Sequence, residues 1–277
     1  MKKKNYWNLS VIIQVIAACM ALVFVSCSNS EKADPQSQAI GTVVLDEETF
    51  PDRNFRKELC QIFPLVEGDT IPDKWISYIE KLGLSNKGIK SLKGIENFDA
   101  LRILDCSCNQ LTELDVSHNK ALTFLDCGSN QLTNIDVSEI PLLEEFGFSH
   151  NQLNTINVTH NPELRRLFCN DNPLNSIDVS QNPQLTEFRI NDCKLKELDV
   201  SNNPNLTILH CNGNDFKKLD LSKNTKLTEL NYSKPFFRSV KIIRPANNPD
   251  INTSFFSLDD YLSIFQIENI RIHVDRH

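Results

Sequence analysis

The sequence predicts a solenoid of stacked coils, each adding one short strand to a parallel sheet, in the α/β class and with a right-handed superhelical course. Three observations predict it. The stretch LTELDVSHNKALTFLDCGSNQLTNIDVS, residues 111–138, spells nearly the same string twice, 21 residues apart. Units of that length open at Leu101, Leu122, Leu143, Leu164, Leu185, Leu206 and Leu227 with no insertion between them. Each reads L-x-x-L-x-C-x-x-N-x-L-x-x-L-D-V-S-x-N-x-x, with Phe, Ile or Tyr at some sixth places. One such coil cannot bury its apolar residues alone, so equivalent positions must stack on their copies above and below.

Composition narrows the function. A chain of 277 residues with 40% hydrophobic side chains is able to bury a core, and its net charge of −7 argues against a nucleic-acid partner, which calls for a basic surface. The chain opens on MKKKNYWNLSVIIQVIAACMALVFVSC, a basic start followed by an apolar stretch from Val11 to Val25, which reads as an export signal over residues 1–26. The stretch is short of the ~20 apolar residues of a membrane-spanning helix. Phe24-Val25-Ser26-Cys27 resembles the lipobox of bacterial lipoproteins, which implies cleavage before Cys27 and lipidation of its thiol. Ile16-Ala17-Ala18-Cys19 fits the same pattern, but cleavage there leaves apolar Met20 to Val25 in the mature chain. Two or more acyl chains hold a protein stably on a membrane.

The stretch SNSEKADPQSQ, residues 28–38, is polar and aperiodic, and residues 27–44 read as a lipid-anchored flexible tether. An N-terminal cap is expected over 45–78. In FPDRNFRKELCQIF, Phe55, Leu59, Ile62 and Phe63 recur at helical spacing, with Pro51 and Asp52 suited to a first turn. A second helix is expected from Asp73 to Glu80, with Trp75 and either Tyr78 or Ile79 facing inward. The repeats span 79–247, opening with the degenerate 22-residue unit IEKLGLSNKGIKSLKGIENFDA. Pro235, Arg244 and Pro245 then break the phase, and a C-terminal cap is expected over 248–277, with residues 257–275 covering the last coil.

Within each coil, positions four and six point into the core from a short strand, and positions three, five and seven point out. The second apolar pair, such as Leu114 and Val116, closes the opposite wall. The core motif resembles the leucine-rich repeat, L-x-x-L-x-L-x-x-N/C-x-L. The likeness covers roughly residues 46–247, and the degenerate first unit is similar to the opening repeat of internalin-type proteins. It implies a leucine-rich-repeat solenoid with its strands on a concave face. Together with the lipobox, it is also similar to leucine-rich-repeat lipoproteins of Bacteroidetes-like bacteria, which implies a lipid-anchored envelope protein.

The chemically suggestive residues fit the repeat. Cys106, Cys127, Cys169 and Cys211 share position six and act as small core hydrophobes, with no C-x-x-C pair to suggest a metal. Cys193 takes the place of Asn109, Asn130, Asn151, Asn172 and Asn214 at position nine. The column Asp115, Asp136, Asp178, Asp199 and Asp220 becomes Asn157 in the third unit, which keeps an acceptor and loses the charge, so it reads as bonding turn amides. In PLVEGDTIPDKW, only Glu67, Asp69 and Asp73 remain of a calcium loop's ligands, without the D-x-D-x-D-G order. His150, Asp171 and Asp192, at position eight of adjacent coils, are the one weak cation candidate. No phosphate loop, H-E-x-x-H or G-x-S-x-G occurs.

These readings lead to a non-enzymatic protein without cofactors, anchored through lipid at the outer membrane and binding a protein or glycan in adhesion. A structural adaptor of the envelope is the alternative. Strand positions three and five are free to vary, and aromatic and Arg side chains are the usual binding anchors. Phe124, Arg166, Phe168, Arg189 and His210 are therefore expected to form a contiguous binding patch on the concave face.

Overall fold

The structure, a computed structural model, describes residues 43–232, 241–243 and 252–254. The expected signal, Cys27 and most of the tether lie outside the described residues, as does the expected cover at 257–275.

The cap begins with β1 (Val43–Val44), the last two residues assigned to the tether, paired antiparallel with β2 (Thr70–Ile71). Between them lies α1 (Arg53–Ile62), whose N-cap Asp52 accepts from the amides of Asn54 and Phe55. The second carboxylate oxygen of Asp52 accepts from the amides of Lys90 and Ser91, tying the helix start to the first coil. Phe55, Leu59 and Phe63 are buried as the helical spacing predicts. Arg56, 2% exposed, donates to the carbonyls of Phe50 and Pro51 and pairs with Glu47 and Glu67, so its buried charge is compensated. Gly94, at φ 101°, is needed because a β-carbon there would lie 2.2 Å from the Phe50 ring.

The second helix is shorter than expected. It is the single turn α2 (Asp73–Ile76), and Ile76 is buried while Tyr78 is 73% exposed. Trp75 stacks on Phe63 at 5.8 Å, and Ile79 packs against the core. The helix stops because the sheet claims the chain: the carbonyl of Glu80 already accepts from the amides of Arg102 and Ile103.

The coils follow. Their strands are β3 (Lys81–Gly83), β4 (Ile103–Asp105), β5 (Phe124–Asp126), β6 (Glu145–Gly147), β7 (Arg166–Phe168), β8 (Glu187–Arg189), β9 (Ile208–His210), β11 (Glu229–Asn231) and β13 (Asn252–Ser254). They form one nine-stranded sheet in sequence order, with parallel pairing and equivalent residues in register. β13 continues the sheet beyond residue 247, where the sequence phase ends. On the opposite wall, β10 (Lys218–Asp220) pairs in parallel with β12 (Lys241–Ile243).

Position four is buried in every phased coil: Leu104, Leu125, Phe146, Leu167, Phe188, Leu209 and Leu230. Position six is buried as well, including the four cysteines. The bends are closed by polar columns. Each Asp of the Asp column accepts from the amide two residues on, as Asp115 does from Ser117 at 2.9 Å, and Asn157 does the same for Thr159 at 3.0 Å. Position eight holds a left-handed backbone in every coil from Asn86 through Cys108, Ser129, His150, Asp171 and Asp192 to Gly213.

Position nine carries the contacts between coils. The amide nitrogen of Asn130 donates to the carbonyls of Cys106 in the coil before and Cys127 in its own, while its oxygen accepts from the amide of Leu111. Asn151, Asn172 and Asn214 repeat this, taking the amides of Leu132, Leu153 and Leu195. Cys193 copies only the donor half. Its thiol donates to the carbonyls of Cys169 and Asn191, but it offers nothing to the amide of Leu174, which turns to Asn172 O of its own coil. Asn175 and Lys194 are left-handed beside it.

Two expectations follow. Leu167→Ala should cost about 2–5 kcal/mol in urea unfolding, since Leu167 is fully buried mid-array, whereas Lys120→Ala should change stability by less than about 0.5 kcal/mol. Cys193→Asn should raise stability by about 0.5–1.5 kcal/mol by giving the Leu174 amide a side-chain acceptor in the next coil in place of its tight bond to Asn172 O, an effect a paired thermal melt would resolve.

Candidate functional site

The face of the sheet formed by positions three and five carries two rows of side chains. In-register pairing aligns Ile103, Phe124, Glu145, Arg166, Glu187, Ile208 and Glu229 in one row. Asp105, Asp126, Gly147, Phe168, Arg189, His210 and Asn231 form the other. No other described element of the coils hydrogen-bonds across this face.

Four of the five expected binding residues come together. Phe168, Arg189 and His210 are consecutive in one row on β7, β8 and β9, and Arg166 flanks Phe168 on β7. The Arg189 guanidinium lies over the Phe168 ring, 5.5 Å from its centroid, and is held there by Glu187 at 2.6 Å. Arg166 pairs with Glu145, and His210 Nε2 is 2.6 Å from Glu229. Arg189 and His210 are thus each positioned by a carboxylate of the other row, and Arg166 by one in its own row on the preceding strand. Phe124 stands apart: it lies in the other row, two strands from Phe168, or roughly 10 Å, beside Ile103. The sequence grouped these residues by exposure, and the register sets Phe124 two strands from Arg166 in the same row, with Glu145 between them.

The row of position-five side chains is interrupted at Gly147, which is itself buried. Phe146 and Phe148 pack beneath it with ring centroids 4.8 Å apart, and the Asp126 carboxylate leans across it, 3.0 Å from where a β-carbon would stand. Burial raises the pKa of Asp126, against the Gly128 amide that lowers it, and Asp105 raises it further. Burial also raises Glu145, with Arg166 opposing.

The other candidates are accounted for by the repeat. Burial pushes the thiols of Cys106, Cys127 and Cys169 up, and that of Cys211 to about 12, so these four are not nucleophiles at neutral pH. His150 Nδ1 lies 3.3 Å from Asp171, both exposed, and among the described residues no group of three His, Cys, Asp or Glu could hold a metal ion. Glu67 is engaged by Arg56, and Asp69 accepts from the Val66 amide.

No family model matches the chain. Internalin J of Listeria monocytogenes serotype 4b (strain F2365) is 40% identical over 70 residues, 25% of this chain and 8% of that protein. The solved functional domain of internalin J from Listeria monocytogenes, described as including a cysteine ladder, matches with a TM-score of 0.66 and 36% identity, over 72% of this chain and 45% of that domain. The array is internalin-like. Internalin C2 of Listeria monocytogenes matches at a TM-score of 0.69 over 79% of this chain and all of its own, but its 17% identity speaks to the fold alone. The chain spans less than half of the solved domain it matches.

The raised pKa of Asp126 makes a prediction with a definite sign. A carboxylate whose folded pKa exceeds its unfolded value disfavours the fold when ionised, and that penalty fades as pH falls through the folded pKa towards the unfolded one. Asn retains the acceptor for the Gly128 amide, as Asn157 does for Thr159. Asp126→Asn should therefore raise the melting temperature at pH 7, and the gain should vanish near pH 3.

Proposed function

We propose that this internalin-like chain is a non-enzymatic binding protein, lipid-anchored through Cys27 at a bacterial envelope, and that it holds a protein or glycan partner on its strand face in adhesion. The observation that carries the binding half of this reading is the Phe168–Arg189–His210 row. A stacked aromatic and guanidinium pair, fixed by Glu187 and left uncovered by any described element, is the kind of preorganised anchor that hot spots use. Its ion pairs are internal, so a partner meets a flat amphipathic platform more than a bare charge. The basic, apolar leader and the Phe24-Val25-Ser26-Cys27 lipobox support the anchor, and the identity to internalin J supports a role in contact rather than turnover.

The test is a pair of substitutions on the full chain, read by binding of intact bacteria displaying it to immobilised host-cell and envelope fractions. Phe168→Ala combined with Arg189→Ala should weaken the retained interaction more than tenfold, or ~1.4 kcal/mol, with little change in melting temperature. Phe124→Ala, on the other row, measures how far the footprint reaches towards β5. Undiminished binding by the double variant would move the site off this face.

A further inference from the structure

Away from the strand face, the opposite wall of the coils between Ser176 and Lys223 forms a groove of about 690 Å³ that neither the fold nor the proposed function uses. Its charge differs from the rest of the array. Residues 101–193 hold 13 acidic and five basic side chains, whereas residues 194–226 hold six lysines against four carboxylates. Four of those lysines, Lys196, Lys217, Lys218 and Lys223, line the groove.

Two features make the lysines more than a solvated surface. Lys196 and Lys217 occupy position twelve of adjacent coils, where the earlier coils place Thr112, Thr133, Asn154 and Asn175. They are both exposed, stand about one coil spacing of ~4.8 Å apart, and have no ion-pair partner among the described residues, nor has Lys223. The groove's carboxylates are differently employed. Asp199 accepts from the Ser201 amide at 2.9 Å and Asp220 from the Ser222 amide at 3.1 Å; the Ser201 amide and hydroxyl lower the pKa of Asp199, and the Ser222 hydroxyl and amide lower that of Asp220. Asp220 also pairs with Lys218 at 3.2 Å, which leaves Glu197 as the groove carboxylate without an ion pair or side-chain hydrogen bond among the described residues.

We propose that this groove binds an acidic polysaccharide, one carboxylate or sulfate per sugar, running along the solenoid across coils that carry Lys196 and Lys217. The recurrence selects this class of polyanion. A glycan chain advances about one coil spacing per sugar, so successive charges meet successive lysines. An extended acidic peptide advances ~3.3 Å per residue and brings like-facing side chains only every second residue, out of step with the coils. A membrane surface is flat and does not enter a groove. This site is independent of the strand-face platform.

The experiment uses the full chain, titrated with polygalacturonate, with neutral dextran, with polyglutamate and with phosphatidylglycerol vesicles. Polygalacturonate should bind, neutral dextran should not, and binding should weaken with salt. Lys196→Glu with Lys217→Glu should weaken it more than tenfold at an unchanged melting temperature, Lys196→Arg with Lys217→Arg should retain it, and Phe168→Ala should leave it unaltered. Failure to bind polygalacturonate, or binding indifferent to the Lys→Glu pair, overturns the site. Polyglutamate or vesicles binding as tightly as polygalacturonate overturns the choice of a glycan.

Discussion

The structure depends on one side-chain amide repeated down its core. At position nine, a buried Asn spans two coils: its nitrogen satisfies carbonyls at position six of both, and its oxygen takes the position-eleven amide of the coil before. Those backbone groups sit where the chain leaves the sheet and turns, so no strand partner is available to them. Buried and unpaired, each would cost about 1–3 kcal/mol. A second column does similar work on the far side, where Asn161 donates to the carbonyls of Val137 and Ile140 and Asn203 to those of Val179 and Asn182. Leucine stacking supplies the driving force for closing the coils, and the two Asn columns determine where each coil sits on the next.

That division of labour leaves the outward positions free. Because positions four, six, nine and nineteen hold the register, positions three and five can carry Phe, Arg, His or Glu without endangering the fold. Register then decides which of them act together. Phe168, Arg189 and His210 meet because each is a fifth residue on successive strands, and Glu187 and Glu229 steady them from the neighbouring row. The same rule operates on the opposite wall, where Lys196 and Lys217 stack because both are twelfth residues. A repeat protein thus groups its outward side chains as columns.

Much of this was legible in the 21-residue period. The period gives the solenoid, the inward Leu and Cys columns, and the Asp column as a set of turn acceptors, because each is one residue type at one place. The left-handed column at position eight was not legible, since Cys108, Ser129, His150, Asp171, Asp192 and Gly213 share a backbone conformation and no side-chain chemistry. Cys193 was readable as a permitted replacement for Asn, but its consequence falls on Leu174 in another coil, and only the geometry shows which amide loses its bond to the next coil. The expected helix to Glu80 failed because Glu80 pairs with residues twenty-two positions later, a contact no local pattern contains. Of the candidate site, the members were visible as outward residues, while the separation of Phe124 from the rest is a matter of strand distance, since β5 lies two strands from β7.

The claim that position nine holds the coils together is tested most directly by amide hydrogen exchange at position eleven. Leu111, Leu132, Leu153 and Leu195 each give their amide to the Asn of the next coil, whereas Leu174 gives its own to Asn172 two residues before it. The account predicts that the first four exchange only when the array unfolds, and that Leu174 exchanges by local opening, faster by more than tenfold. Equal protection at Leu174 and its four counterparts would contradict it.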